Sequence, residues 1–545
     1  AHYSNYGSGL DLVAPGGDMT RDDNHDGYGD GICQETYATL GNPQSGYGLQ
    51  WADGTSMATP QVAAVAGLIL SLSPGLSPRQ VSQAITSTCT DLGDPGWDPY
   101  YGWGLLDASA AVSALGRNSW YFAEGTTRAG FDEWMCVMNP EPTEAQVDFT
   151  FLMSGGQAQV AGYTVAPQSR FSLNVRSVVG NDKDVAAVVS SANAIIAERP
   201  MYFNYQGKWA DGSDALGARH PATEWYFAEG TTRAGFEEWL TLANPGYQDA
   251  TADVQYLVGA GQGYNRLQEY AIPARSRLTV NVNQAIGPEL DVSMYISSNI
   301  PIVAERPMYY DYHGIWPGGS DVMGAMAPSG NWYFAEGTTR AGFEEWLTLA
   351  NPGSGDATAH IDYLLGSGQG ANISQDWSVP ARSRVTVNVN RAIGPDLDVS
   401  LHVTSTQPLV AERPMYFDYH GWAKGGHDVM GATQAGDDWY FAEGTTRAGF
   451  EEWLTLANPG DSDASVQADY LLASGQGGNR SRSYTVPAHS RITVSVNSEA
   501  GSEVDVSLHL TSSHPIVAER PMYFGYGSQK WYGGTCQVGY QPGSI

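Results

Sequence analysis

The sequence predicts a multidomain chain: a short mixed α/β unit followed by four all-β, immunoglobulin-like sandwich modules. Three observations carry this. Residues 55–116 show helical apolar spacing, Trp-Tyr-Phe-Ala-Glu-Gly-Thr-Thr-Arg-Ala-Gly-Phe opens at Trp120, Trp225, Trp332 and Trp439, and Glu-Arg-Pro-Met-Tyr recurs at Glu198, Glu305, Glu412 and Glu519, every 107 residues. A repeat of about 100 residues with its own tryptophans can bury a core alone, so it reads as a domain and not a solenoid turn. The predicted boundaries are 1–116, 119–220, 224–328, 331–435 and 438–545.

Residues 1–52 read as two short strands around an acidic loop. In that loop Asp22, Asn24, Asp26, Tyr28 and Asp30 fall at alternating positions, with Gly27 between them. Oxygen ligands at every second residue, with a glycine for the reversal, is how one short loop wraps a hard cation, so calcium is the expected ligand. The bidentate Glu of an EF-hand is missing, since Cys33 holds the twelfth place; Glu35 or a distant carboxylate would complete the shell. The plainer alternative is a solvated acidic turn.

Gly54-Thr55-Ser56-Met57-Ala58-Thr59-Pro60 then leads into an apolar helix rich in small residues (Ala63, Ala64, Ala66, Gly67), which needs close neighbours to be stable. Pro60 is expected in its first turn, where a missing N–H costs nothing. Ser56 would sit at or just before the helix N-terminus, its N–H aimed where an oxyanion would develop. A second helix is expected from Ser77-Pro78, with Ser77 as N-cap, and a third from Asp107 to Gly116. Each later module alternates with period two, as in Ala252–Val258 and Arg277–Val282, giving roughly six or seven strands.

Composition narrows the function classes. A net charge of −31 leaves no basic stripe to neutralise phosphates, which argues against nucleic acid as partner. Four cysteines are too few for a disulfide-built fold. Cys33–Cys89 is the preferred bridge, with ordinary unpaired thiols as the alternative. No run reaches the 18 apolar residues of a membrane-spanning helix. In the repeats, Trp225, Tyr226, Phe236, Glu229, Arg233, Glu237 and Glu238 offer the parts of a sugar-binding platform. The reading favoured here is that the aromatics fill cores and the charges pair at junctions.

The Gly54–Pro60 heptapeptide closely resembles the nucleophile motif of the subtilisin-like serine peptidases. The flanks agree: Tyr3-Ser4-Asn5-Tyr6-Gly7, Leu10–Gly17 and Tyr101–Ala108 resemble family segments around that motif. The resemblance implies that residues 1–116 are the C-terminal part of an α/β subtilisin-like domain, with Ser56 as nucleophile, Gly54, Thr55 and Met57 forming its turn, and protein or peptide as substrate. The family's catalytic Asp and His precede the serine, and no His here stands in their motif, so the expected function is that of an extracellular serine endopeptidase whose full triad needs upstream sequence. The modules would attach it to an envelope or polysaccharide, or space it from one. Short connections such as Pro221–Glu224 suggest a semi-rigid arm of roughly 100 Å or more, with Arg233, Arg340 and Arg447 at its junctions. The alternative is a non-catalytic surface adhesion or carbohydrate-binding protein carrying a peptidase remnant.

Overall fold

The structure, a computed structural model, describes residues 3–542 apart from 24, 40, 73–77, 95, 117, 154–157 and 529–530. It divides into two compact units, residues 1–117 and 118–545.

In the first unit, β1 (Ile32–Tyr37) and β2 (Tyr47–Ala52) form an antiparallel ribbon. The helices α1 (Thr55–Leu72), α2 (Pro78–Thr86) and α3 (Ala108–Gly116) follow. Val65 and Ile69 of α1 pack on Val81, Ile85 and Ala111. Only that face of α1 is buried: Ala63, Ala64 and Gly67 are exposed, and Leu68 is 52% exposed. Helix α1 also begins a turn earlier than expected, so Pro60 is its sixth residue and leaves the Ser56 carbonyl without its usual donor. Asp107 caps α3 by accepting the Ala110 N–H at 2.8 Å. The Ser77 cap lies outside the described residues.

All four cysteines are free, which corrects the expected Cys33–Cys89 bridge. The physical reason is placement: Cys33 stands on the exposed ribbon opposite Trp51, while Cys89 follows α2 and is turned onto the Ile85 carbonyl.

The first module consists of β3 (Asn118–Phe122), β4 (Phe131–Asn139), β5 (Ala145–Met153), β6 (Ala158–Val165), β7 (Ser169–Asn174), the one-turn α4 (Arg176–Val179), β8 (Val185–Ser191), β9 (Ile196–Tyr205) and β10 (Trp209–Leu216). Two four-stranded antiparallel sheets result, ordered β3-β8-β5-β6 and β10-β9-β4-β7. Eight strands replace the expected six or seven, and the order differs from the immunoglobulin arrangement, in which the first and second strands share a sheet. In the second and fourth copies the counterparts of β8 and β9 fuse into single strands, Val292–Tyr312 and Val506–Tyr526, that run through both sheets. The module tryptophans Trp120, Trp225, Trp332 and Trp439 are buried, as core aromatics should be.

The four modules do not extend into an arm; they close on themselves. Arg199 pairs with Glu305 at 2.8 Å, Arg306 with Glu412 at 3.0 Å, Arg413 with Glu519 at 3.1 Å, and Arg520 returns to Glu198 of the first module at 3.0 Å. A second cycle runs through Arg277–Glu124, Arg384–Glu229, Arg491–Glu336 and Arg170–Glu443. Both cycles are buried, so each guanidinium must meet its carboxylate or lose the module's place in the ring. Tyrosine pairs stack across every junction: Tyr205–Tyr309, Tyr312–Tyr416, Tyr419–Tyr523 and Tyr526–Tyr202, with centroids 3.7–3.8 Å apart. The arm expectation failed because short connections restrict neighbours but say nothing about whether the fourth module meets the first.

The arginines expected at junctions instead pair inside their own modules: Arg233 with Asp291, Arg340 with Asp398 and Arg447 with Asp505. The two repeated motifs are the junction. The Ala N–H of each Trp-Tyr-Phe-Ala segment donates to the Glu of a neighbour's Glu-Arg-Pro-Met-Tyr, as Ala123 does to Glu305 at 2.6 Å and Ala442 to Glu198 at 3.0 Å.

Candidate active site

The turn before α1 is built from glycines. Gly54 has φ +144°, a conformation that a side chain resists, and its N–H donates to the Gly16 carbonyl at 2.9 Å. A Cβ on Gly16 would lie 2.7 Å from the Tyr3 hydroxyl and 3.0 Å from the Gly54 carbonyl oxygen, so Gly16 stays small to let the two segments touch. Gln61 of α1 reaches the same segment, its Nε2 donating to the Pro15 carbonyl at 2.7 Å. That segment is anchored in turn by a parallel bridge of Val13 to Leu105, with Val13 N–H donating to Gly104 O and Leu106 N–H to Val13 O. Three stretches far apart in sequence thus converge on one turn.

Ser56 stands there as the second residue of α1, exposed. Its amide belongs to the first helical turn, whose N–H groups have no carbonyl four residues back and are open to an anion. Its hydroxyl donates to the Met57 sulfur at 3.2 Å, its one hydrogen bond among the described residues. Thr55 and Gly54 complete the turn, with Met57 N–H donating to Gly54 O at 3.0 Å. A serine hydroxyl needs an adjacent base to attack near neutral pH, and a thioether is not one. The arrangement sets an exposed serine hydroxyl beside a first-turn amide, with no basic side chain bonded to that hydroxyl among the described residues.

The acidic loop is closed at its base by Asp18 and Asp30, whose backbones bridge, with Asp18 N–H donating to Asp30 O at 2.7 Å. Inside it Asp22 accepts the N–H groups of Asp26 at 3.1 Å and Gly27 at 2.9 Å, Asp26 accepts that of Tyr28 at 2.9 Å, and Asp30 accepts that of Asp23 at 2.6 Å. The carboxylates organise the loop's own backbone, and among the described residues no three His, Cys, Asp or Glu side chains gather as a metal site. Asn24 lies outside the described residues.

The proposed sugar platform is not assembled. Trp225 is core, Glu229 is held by Arg384, Glu237 accepts the Tyr205 hydroxyl, and Glu238 is fully buried. The sequence reading missed the residues that matter most in the second unit, the arginines Arg199, Arg306, Arg413 and Arg520. The signal was present as the Arg of Glu-Arg-Pro-Met-Tyr, an invariant charge inside an apolar strand. Both module cysteines substitute in these networks: Cys536 takes the place of Asp214, Asp321 and Asp428 beside Arg413, and Cys136 that of Thr241, Thr348 and Thr455. Burial pushes both thiols up.

Residues 1–104 match the subtilase family, and residues 426–518 match a family of unknown function. The chain is 38% identical over 112 residues to M-protease of Shouchella clausii (strain KSM-K16), covering 21% of this chain and 23% of that protein. It is likewise 38% identical over 112 residues to Subtilisin BL of Lederbergia lenta, covering 21% of this chain and 33% of that one. A solved protease structure from Pseudoalteromonas arctica aligns at 35% identity over 21% of this chain and 32% of its own, with a TM-score of 0.18. The chain thus spans about a quarter to a third of the length of these curated relatives. The first unit is subtilase-like and the remainder is β-rich. No helix among the described residues is long and apolar enough to cross a membrane.

Proposed function

We propose that the first unit is the nucleophile-bearing part of an extracellular subtilisin-like serine endopeptidase acting on protein or peptide, with Ser56 as nucleophile and its amide as an oxyanion donor. The observation that carries this is the Gly54–Met57 turn, held by Gly16 and Gln61 so that an exposed hydroxyl and a free first-turn amide stand together. Apolar side chains left unburied elsewhere on the first unit, Leu68 on α1 and Leu49 and Trp51 on β2, support further peptidase sequence packing on it and supplying the Asp and His.

The second unit serves in this reading as a closed, non-catalytic body for attachment to an envelope or polysaccharide partner. In this reading the acidic loop of the first unit takes calcium: Asp22, Asp26 and Asp30, which do not gather as a metal site in this structure, would turn from the loop amides onto the ion.

The test is labelling with a fluorophosphonate. This chain alone should not label, the full gene product should label at Ser56, and Ser56→Ala should abolish the signal, with turnover falling by a factor on the order of 10⁶. A full product that leaves Ser56 unlabelled would overturn the reading in favour of a non-catalytic adhesion or carbohydrate-binding protein.

A further inference from the structure

The segments that leave each module's final strand converge at one place in the second unit and line a partly open cavity of about 520 Å³ to which all four copies contribute. The copies are in register there. Ala218 N–H donates to Tyr121 O, Ala325 to Tyr226 O, Ala432 to Tyr333 O and Tyr540 to Tyr440 O, at 2.8–3.0 Å. The next residue of each copy is therefore equivalent, and the four are Arg219, Met326, Thr433 and Gln541. Ring closure makes the site, and the sequence differences between copies make it asymmetric.

Its chemistry is unlike the rest of the molecule. The chain has 58 acidic residues against 27 Lys and Arg, yet no Asp or Glu lines this cavity. Met326, Met430 and Tyr540 give it partly exposed apolar and aromatic walls, behind which the core tryptophans Trp120, Trp332 and Trp439 lie buried, and Arg219 with His220 gives it one basic corner. The Arg219 guanidinium stands 4.6 Å from the Trp120 ring centre and 5.7 Å from that of Tyr540. It donates to the Ser119 carbonyl at 3.1 Å and the Asn118 side-chain oxygen at 3.2 Å. Both acceptors are neutral. The arginines of both ion-pair cycles each meet a carboxylate, whereas Arg219 meets none among the described residues.

We propose that this cavity binds a small organic anion with a flat apolar body, an arene carboxylate in chemical class, whose carboxylate pairs with Arg219 and whose ring lies against the Met326, Met430 and Tyr540 walls. The volume is that of a small-molecule site. A planar guanidinium fixed by two neutral acceptors and two rings is preorganised for a planar carboxylate. The missing negative charge is supplied by the ligand. Arg219 is dispensable for folding in this scheme, because the second copy carries Met326 in the same register.

The test uses the full chain with benzoate and benzyl alcohol as probes, measured by displacement of 8-anilinonaphthalene-1-sulfonate fluorescence and by calorimetry. A single saturable site is expected, with benzoate bound roughly tenfold or more tighter than benzyl alcohol, the worth of a charge-assisted hydrogen bond. Arg219→Met should abolish that preference while leaving thermal unfolding unchanged, and Arg219→Lys should retain part of it. Arg233→Gln, in the exposed pair with Asp291, should have no effect. Equal binding of the two probes, no saturable site, or an unaltered preference in Arg219→Met would overturn the proposal. If Arg219→Met does not fold, the comparison of the two probes on the unmodified chain still decides.

Discussion

Asp211 shows how one side chain can serve four repeats. Its carboxylate is buried and accepts N–H groups from the equivalent glycine of every module: Gly212 and Gly534 at 2.9 Å, Gly319 at 3.2 Å and Gly426 at 3.3 Å. The other copies carry Gly318, Gly425 and Gly533 where the first has Asp211, and a Cβ on Gly533 would fall 1.8 Å from Asp211 Oδ1. There is room for one side chain, so only one copy has it. Burial pushes the Asp211 pKa up and the four amides oppose that. Asp211→Ala leaves these amides without an acceptor, and scanning calorimetry should show the second unit destabilised by roughly 2–5 kcal/mol. An unchanged melting temperature would show that water replaces the carboxylate at no cost.

Glu133, Glu238, Glu345 and Glu452 are the second residue-scale case. Each is fully buried, and burial pushes each to about 8, against nearby arginines and a threonine backbone amide that lower it. Around Glu133 the guanidinium groups of Arg199 and Arg277 oppose that rise and Glu124 adds to it. A folded pKa above the unfolded one means that the folded state binds more protons between the two values. The stability these groups contribute is therefore complete below about 4.5 and is lost as pH rises toward about 8. The denaturation midpoint of the second unit should fall steadily from pH 5 to pH 8, and Glu133→Gln should make that slope shallower. A midpoint that is flat across this window would exclude the four carboxyls as its source.

At the scale of elements, the acidic loop and α1 answer to different forces. The loop is shaped by carboxylates accepting its own amides. Chelation of calcium is expected to lower the melting temperature of the first unit and leave that of the second unchanged, since binding to the folded state alone stabilises it by mass action. The double variant Asp22→Ala, Asp26→Ala should lose the response to calcium; if it keeps the full response, the ion binds elsewhere. Helix α1 tolerates Pro60 inside it because the missing bond falls at the exposed end, next to Ser56, where the carbonyl meets solvent.

On the scale of the whole second unit, the closed cycle of modules makes a definite hydrodynamic statement. A compact body of this length has a radius of gyration of roughly 22 Å. Small-angle scattering on residues 118–545 should return a value near that, and one well above it would restore the extended arm. Closure also couples the copies: hydrophobic clusters cross the junctions, with Ala442 and Leu471 of the fourth module packed into the core of the first. Unfolding of one module is expected to carry its neighbours, as a single cooperative transition instead of four.

The sequence by itself determined the repeat, its 107-residue interval, the strand alternation, and the Gly-Thr-Ser turn with its helix, because each of these is set by local residue order. Leu10–Gly17 and Tyr101–Ala108 were legible as partners of that turn only through resemblance; the parallel bridge of Val13 to Leu105 is what joins them. Tertiary structure alone decided that the fourth module meets the first, that Arg520 finds Glu198, and that Asp211 gathers amides from four copies. It decided too that Cys33 and Cys89 stay apart. These contacts join residues up to more than three hundred positions apart, as with Asp211 and Gly534. No local pattern encodes such a pairing; it follows from the angle at which one module docks on the next, repeated until the ring shuts.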